Sequence, residues 1–118
     1  ILEKESCFEE RSLISGVIYN RLEKRMKLQI DSTVIYGIKD FDGNLTKSNL
    51  KNKTPFNTYA NFGLPPTPIS MPSKSSLVAA GNPLESDYFY FVSKGKCAHE
   101  FSEDYSSHLK AIQKYQLN

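Results

Sequence analysis

Apolar residues at Leu13, Ile14, Val17, Ile18 and Leu22 recur at three- and four-residue spacing, and this recurrence predicts a helix running on from Phe8. Glu9 and Glu10 fall at its start and Lys24 and Arg25 at its end, the charge order that a helix dipole favours. The next segment, Met26-Lys-Leu-Gln-Ile30, alternates apolar and polar positions with a period of two. A half-buried strand is expected there, with Gln29 and Asp31 delivered to its end. Asp31 and Ser32 suit the cap of a short helix through Tyr36, while the β-branched residues Thr33, Val34 and Ile35 suit a strand equally, and Gly37 stops either one.

Further along, Asp40 to Asn44 reads as a turn through its Asp-Gly chemistry, and Thr46 is placed to cap a brief helix ending near Leu50. Residues 54 to 72 hold prolines at 55, 65, 66, 68 and 72, so no regular structure is expected. The same stretch carries Phe56, Tyr59, Phe62, Leu64 and Ile69, which argues for a loop packed down on the body and able to line a cleft. Ser73 starts a helix that Gly81 and Pro83 end. Tyr88 to Val92 is an aromatic-rich strand, Lys94-Gly95 its turn, and Ala98 to Phe101 the returning partner. Tyr105, Leu109, Ile112 and Tyr115 mark a last helix from about Asp104 to Leu117. The pattern predicts an α+β fold: a single compact domain over residues 1–118, with several helices on a small, mostly antiparallel sheet and the proline-rich loop lining a cleft.

Composition narrows the function. The 15 basic and 13 acidic residues are interspersed, with a net charge of +2, and this speaks against nucleic acid as the partner. Cys7 and Cys97 fit either a disulfide or a pair of buried thiols. Neither cysteine stands at ligand spacing from His99 or His108, so no metal and no cofactor is expected. No run of apolar residues is long enough to span a bilayer. Ile1 to Glu5 already reads as helix with nothing ahead to cap it, and a preceding segment is therefore expected in the natural protein.

Three groups of residues have the chemistry for a site. Glu3 and Glu5 stand two apart, a spacing that puts them on opposite faces of a helix. Glu5 shares the face of Ile1, Leu2 and Phe8, and apolar surroundings raise a carboxyl's pKa until it serves as a proton donor near neutrality; Glu3 lies with Lys4 on the polar side. A second group runs from Gln29, Asp31, Thr33 and Tyr36 through Asn57, Thr58 and Tyr59 to Gly63-Leu-Pro-Pro66. Amides, hydroxyls and rings together suit a saccharide, though ordinary turn and cap chemistry accounts for Asp31, Asn57 and Gly63 as well. His99, Phe101 and His108 form the third group, for which a structural role is expected.

One ordered series of motifs adds to this reading: Glu3-Lys-Glu-Ser6, Val17-Ile-Tyr-Asn-Arg-Leu22, Leu28-Gln-Ile-Asp-Ser-Thr-Val-Ile-Tyr-Gly37, Asn57-Thr-Tyr59, Gly63-Leu-Pro-Pro66 and Pro68-Ile69. It continues through Ser76-Leu-Val-Ala-Ala80, Tyr88-Phe-Tyr-Phe-Val92 and His99-Glu-Phe101 to His108. Nearly the whole chain thus resembles the YceG-like family, the endolytic murein transglycosylases. The resemblance implies a bacterial lyase that cleaves the β-1,4 bond between N-acetylmuramic acid and N-acetylglucosamine in peptidoglycan strands and leaves 1,6-anhydromuramic ends. It also implies an N-terminal membrane helix and a LysM-like region ahead of the catalytic domain, and work at the periplasmic face of the inner membrane beside cell-wall synthesis enzymes. The family's catalytic glutamate, the second of Glu-Lys-Glu, falls on Glu5. Gln29, Asp31, Thr33, Tyr36, Asn57, Thr58, Tyr59 and Leu64 are then the expected saccharide-binding residues. Ser32 departs from the family's Asp-Pro-Thr pattern, and the stretch from Cys7 to Glu10 differs in length from some members. A hydrolytic muramidase using Glu5 and Asp31, a noncatalytic peptidoglycan-binding module, and a nucleic-acid-binding domain are the competing readings.

Overall fold

The computed structural model describes residues 1–116, with Phe8 described by its backbone. In order along the chain come α1 (Leu2–Glu5), a 3-10 turn at Phe8–Glu10, α2 (Arg11–Glu23), α3 (Asp31–Tyr36), α4 (Lys47–Leu50), α5 (Lys74–Gly81), β1 (Tyr90–Gly95), β2 (Ala98–Ser102) and α6 (Tyr105–Tyr115). The fold is α+β. Contacts divide it into two units: one of Ile1 with Arg21–Met71, the other of Leu2–Asn20 with the chain from Pro72 onward. Leu117, the expected end of the last helix, lies outside the described residues.

In the second unit, Ile14, Val17 and Ile18 of α2 are buried, as their spacing predicts. Gly16 lies against the chain after α5: a Cβ at this position would collide with the Leu84 carbonyl oxygen, and the Leu84 amide donates to Ser12 O at 2.9 Å. Glycine is needed at that position for close approach rather than for an unusual φ. Ser73 caps α5 and Asp104 caps α6, each side chain accepting from the amide three residues on. That bond at Ser107 holds the Asp104 carboxyl below its ordinary pKa.

The hairpin pairs Tyr90 with Ser102 and Phe91 with Phe101, antiparallel, and α6 packs on both strands. The turn is not at Lys94-Gly95, which belong to β1, but at Lys96 and Cys97, with φ of 52° and 63°. Two consecutive left-handed residues match the right-handed twist of the strands, as two-residue hairpins require. Cys97 in this turn is bonded to Cys7, which closes the question between disulfide and free thiols.

In the first unit, the strand expected at Met26–Ile30 does not form. Its alternation of burial survives, with Leu28 and Ile30 buried and Gln29 exposed, but among the described residues the only strands that pair are β1 and β2. Arg25 and Gln29 take φ of 56° and 53°, which breaks any extended run. The Arg21 guanidinium serves the carbonyls of Lys27 and Leu28 at 2.7 and 3.3 Å, satisfying in part what a ladder would have satisfied. Between the two readings of residues 31–36 the helix holds, but Ile30 occupies its N-cap position without a side-chain bond, and Asp31 is its first helical residue. Thr46 caps α4 in a full capping box with Asn49, and Asp42 accepts from the Asn44 amide to close the expected turn. Residues 54–72 carry no helix or strand, as expected. The loop is only partly packed down: Asn57, Thr58 and Ile69 are buried, whereas Phe62 and Leu64 stand 69% and 62% exposed.

Candidate functional site

The two N-terminal glutamates have different surroundings. Glu3 is not the solvated residue that its place beside Lys4 suggests. One oxygen, Oε1, accepts from the Ser73 amide and the Ser76 hydroxyl, each at 2.7 Å, and Oε2 accepts from Arg11 Nη2 at 3.3 Å. Glu3 therefore ties α1 to the N-terminus of α5, where exposed amides favour an anion. The Ser73 amide contributes most, followed by the Ser76 and Ser73 hydroxyls; desolvation opposes them less strongly, the Arg11 charge adds least, and the balance brings its pKa down from 4.5 to about 2. A carboxyl so held is ionised throughout the neutral range and has no proton to donate.

Glu5 is the last residue of α1 and is half-buried, in the same unit as buried Leu2. Immediately after it, Ser6 folds back, its amide and hydroxyl both donating to the Leu2 carbonyl at 3.1 and 2.6 Å. Two links then secure the next few residues to the hairpin. The first is the disulfide from Cys7 to Cys97. The second is Glu10, which accepts from the His99 amide and pairs with His99 Nδ1 at 2.9 Å. His99 is buried, with its ring edge-on to Phe91, and His108 stacks on Tyr90.

The saccharide candidates lie in the first unit, and six of them, Gln29, Asp31, Thr33, Asn57, Thr58 and Tyr59, form one hydrogen-bonded assembly. Tyr59 donates its hydroxyl to Asp31 Oδ1 at 2.6 Å, on the surface. Beneath them Thr33 Oγ1 and Thr58 Oγ1 share a bond at 2.8 Å; Thr33 also donates to Ile30 O, and Thr58 Oγ1 accepts from the Ile30 amide. Asn57 donates from Nδ2 to Leu50 O at 3.0 Å and to Asn52 O, and accepts from the Tyr59 amide at 2.8 Å. Thr33, Asn57 and Thr58 are 0%, 0% and 1% exposed, so their side chains face inward and shape the site from below. Gln29, Asp31, Tyr36 and Leu64 are exposed and Tyr59 half-exposed, with the Tyr36 ring edge-on to Phe56. Gln29 is held left-handed while its amide donates to Thr58 O at 3.3 Å, a strained conformation of the kind that collects at binding sites.

Sequence reasoning missed Arg11, Ser73 and Ser76 as partners of Glu3. The only local signal was the Ser73 cap, because the Glu3–Ser76 contact joins residues 73 apart. Glu10 as the partner of His99, 89 residues away, had no local signal either.

The model of the YceG-like family matches residues 1–114. The chain belongs to the YceG-like family. This YceG-like chain is 38% identical over 116 residues to the endolytic murein transglycosylase of Bacillus subtilis (strain 168), a match covering 98% of this chain and 32% of that protein. It is 35% identical over 98 residues to the enzyme of the same name from Streptococcus pneumoniae serotype 2 (strain D39), covering 78% of this chain and 18% of the relative. Among solved structures it resembles a yceG-like protein of Listeria monocytogenes with a TM-score of 0.86 and 41% identity, over 92% of this chain and 36% of that one. The chain thus spans about a third or less of the relatives it matches.

Proposed function

We propose that this chain is the catalytic part of a peptidoglycan lytic transglycosylase that cleaves the β-1,4 bond between N-acetylmuramic acid and N-acetylglucosamine, with Glu5 as its acid and base. The observation that carries this reading is that Glu3 is held as an anion. Glu3 is committed as an anion to α5 and Arg11 and has no proton to give, so this reading assigns the donor's role to half-buried Glu5. Family membership supports it, since both curated relatives bear the name endolytic murein transglycosylase.

In the proposed reaction, protonated Glu5 donates to the glycosidic oxygen as the bond from that oxygen to C1 of the muramic acid breaks. The sugar gains oxocarbenium character, and the O6 hydroxyl of the same residue attacks C1. Glu5, now a carboxylate, takes the O6 proton and is restored to its starting state. No water is consumed, and the product is a 1,6-anhydro end. The intramolecular nucleophile removes the need for the second carboxylate that most glycosidases use. Gln29, Asp31, Tyr36, Tyr59 and Leu64 contact the saccharide, while Thr33, Asn57 and Thr58 hold the backbone that presents them. In the whole protein, an N-terminal membrane helix and a LysM-like region place this part at the periplasmic face of the inner membrane, beside the enzymes that synthesise strands.

Mass spectrometry of the products from purified glycan strands, run on wild type and Glu5→Gln, tests the proposal. Anhydro ends from wild type, and a loss of about 10² to 10⁴ in rate in a variant that still folds, are expected. Products heavier by one water support a hydrolytic muramidase with Asp31 as the second carboxylate. Binding without cleavage by either protein supports a noncatalytic module.

A further inference from the structure

Segments 25–31 and 58–64 of the first unit touch one another at three points. Asp31 meets Tyr59 at 2.6 Å, Gln29 meets Thr58 at 3.3 Å, and Lys27 Nζ lies over the Phe62 ring at 5.1 Å. Next to the Lys27–Phe62 contact, Arg25 and Gly63, with Leu22, Met26 and Phe62, line a shallow depression of about 510 Å³. Two backbone features shape it: Arg25 and Gly63 both have left-handed φ, of 56° and 84°. Its floor is apolar and none of the described residues that line it is acidic. Arg25 and Phe62 are both exposed, and Lys27 is half-exposed beside them. The two segments thus carry a carboxylate and hydroxyl at Asp31 and Tyr59 and, elsewhere, cations and an aromatic face at Arg25, Lys27 and Phe62.

We propose that the depression at Arg25, Lys27 and Phe62 is a subsite for the carboxylate-bearing peptide attached to the glycan strand, in the same unit as the saccharide contacts at Asp31 and Tyr59. This rests on the saccharide reading above and deepens it. A muramic acid residue carries its peptide on one side of the sugar chain, so the ligand has an uncharged, hydroxyl-rich part and an anionic, partly apolar part. The two kinds of surface that these segments carry match those parts. Arg25 and Lys27 attract the carboxylates, and Phe62 covers apolar atoms of the peptide. The subsite gives the protein a preference for strands that still bear peptides over strands stripped of them.

The test compares binding of soluble N-acetylglucosaminyl-N-acetylmuramyl-tripeptide with that of the same disaccharide lacking the peptide, by calorimetry or NMR titration, on wild type and on Arg25→Gln/Lys27→Met. Both changed side chains are surface groups, and Phe62→Leu provides a second variant that keeps apolar volume while removing the ring. Wild type is expected to bind the peptide-bearing ligand roughly tenfold more tightly, a preference that falls with added salt and disappears in the double variant. Equal Kd values in wild type overturn the subsite, as does absence of binding by both ligands or a preference that survives in the variants. Cleavage of intact and peptide-stripped strands is followed in parallel. Failure of wild type to cleave either one counts against the transglycosylase reading, and the binding comparison then decides the subsite independently.

Discussion

Replacing Asn57 by alanine separates a positioning role from a direct contact with sugar. Its side chain is fully buried and makes bonds to Leu50 O, to Asn52 O and from the Tyr59 amide. A net contribution of about 1 kcal/mol for each bond, together with the cost of leaving buried carbonyls without donors, gives a loss of about 3 to 4 kcal/mol. For a chain of this size a urea m value of about 1.5 kcal/mol/M converts that loss into a midpoint lower by about 2 M. Asn57→Asp sharpens the test. The carboxylate still accepts from the Tyr59 amide but faces the two carbonyl oxygens with negative charge, so at pH 7 it is expected to be less stable than Asn57→Ala. Repulsion raises its folded-state pKa, so the variant recovers part of the deficit as pH falls and the proton returns. Urea unfolding followed by circular dichroism at pH 7 and pH 5 measures all of these. A midpoint for Asn57→Ala within about 0.3 M of wild type, accompanied by a raised KM for glycan, refutes the reasoning and makes Asn57 a ligand-contacting residue.

Other consequences follow from single contacts. Because Glu3 titrates at about 2 in the folded protein and near 4.5 when free, its contribution to stability is complete above the higher value and is lost as pH falls toward the lower one. Urea midpoints between pH 5 and pH 2 should therefore decline less steeply in Glu3→Gln than in wild type, and parallel curves contradict the assignment. Cys7 and Cys97 lie 90 residues apart, and closing so long a loop restricts the unfolded chain by about 4 to 5 kcal/mol in the entropic account. Cys7→Ala/Cys97→Ala is expected to lower Tm by about 15 °C, and wild type in reductant should match it. Gly16→Ala drives a methyl group into the Leu84 carbonyl and should cost about 1 to 3 kcal/mol, although alanine is the better helix former. A stabilised variant in thermal melts shows that the segment at Leu84 yields freely.

What could be read directly was local. The α2 spacing, the cap at Thr46, the helix starts at Ser73 and near Asp104, the Asp42 turn and the pairing of the aromatic hairpin each depend on residues a few positions apart, and each is present. The ordered motifs likewise carried the family, because they lie along the chain and need no folding to be seen. Residues 26–30 show where local pattern misleads: alternating burial is necessary for a strand, but a strand also needs a partner ladder, and here Arg21 binds two of the carbonyls. Tertiary structure alone decided which side of the Asn57, Thr58 and Thr33 cluster faces inward, which glutamate of the first turn is held as an anion, and that Cys7 joins Cys97. Each of these rests on groups brought together from 25 to 90 residues apart. Periodicity describes which way a side chain leaves its own backbone; a carboxyl's charge and an amide's role depend on the donors and acceptors that arrive from elsewhere in the chain.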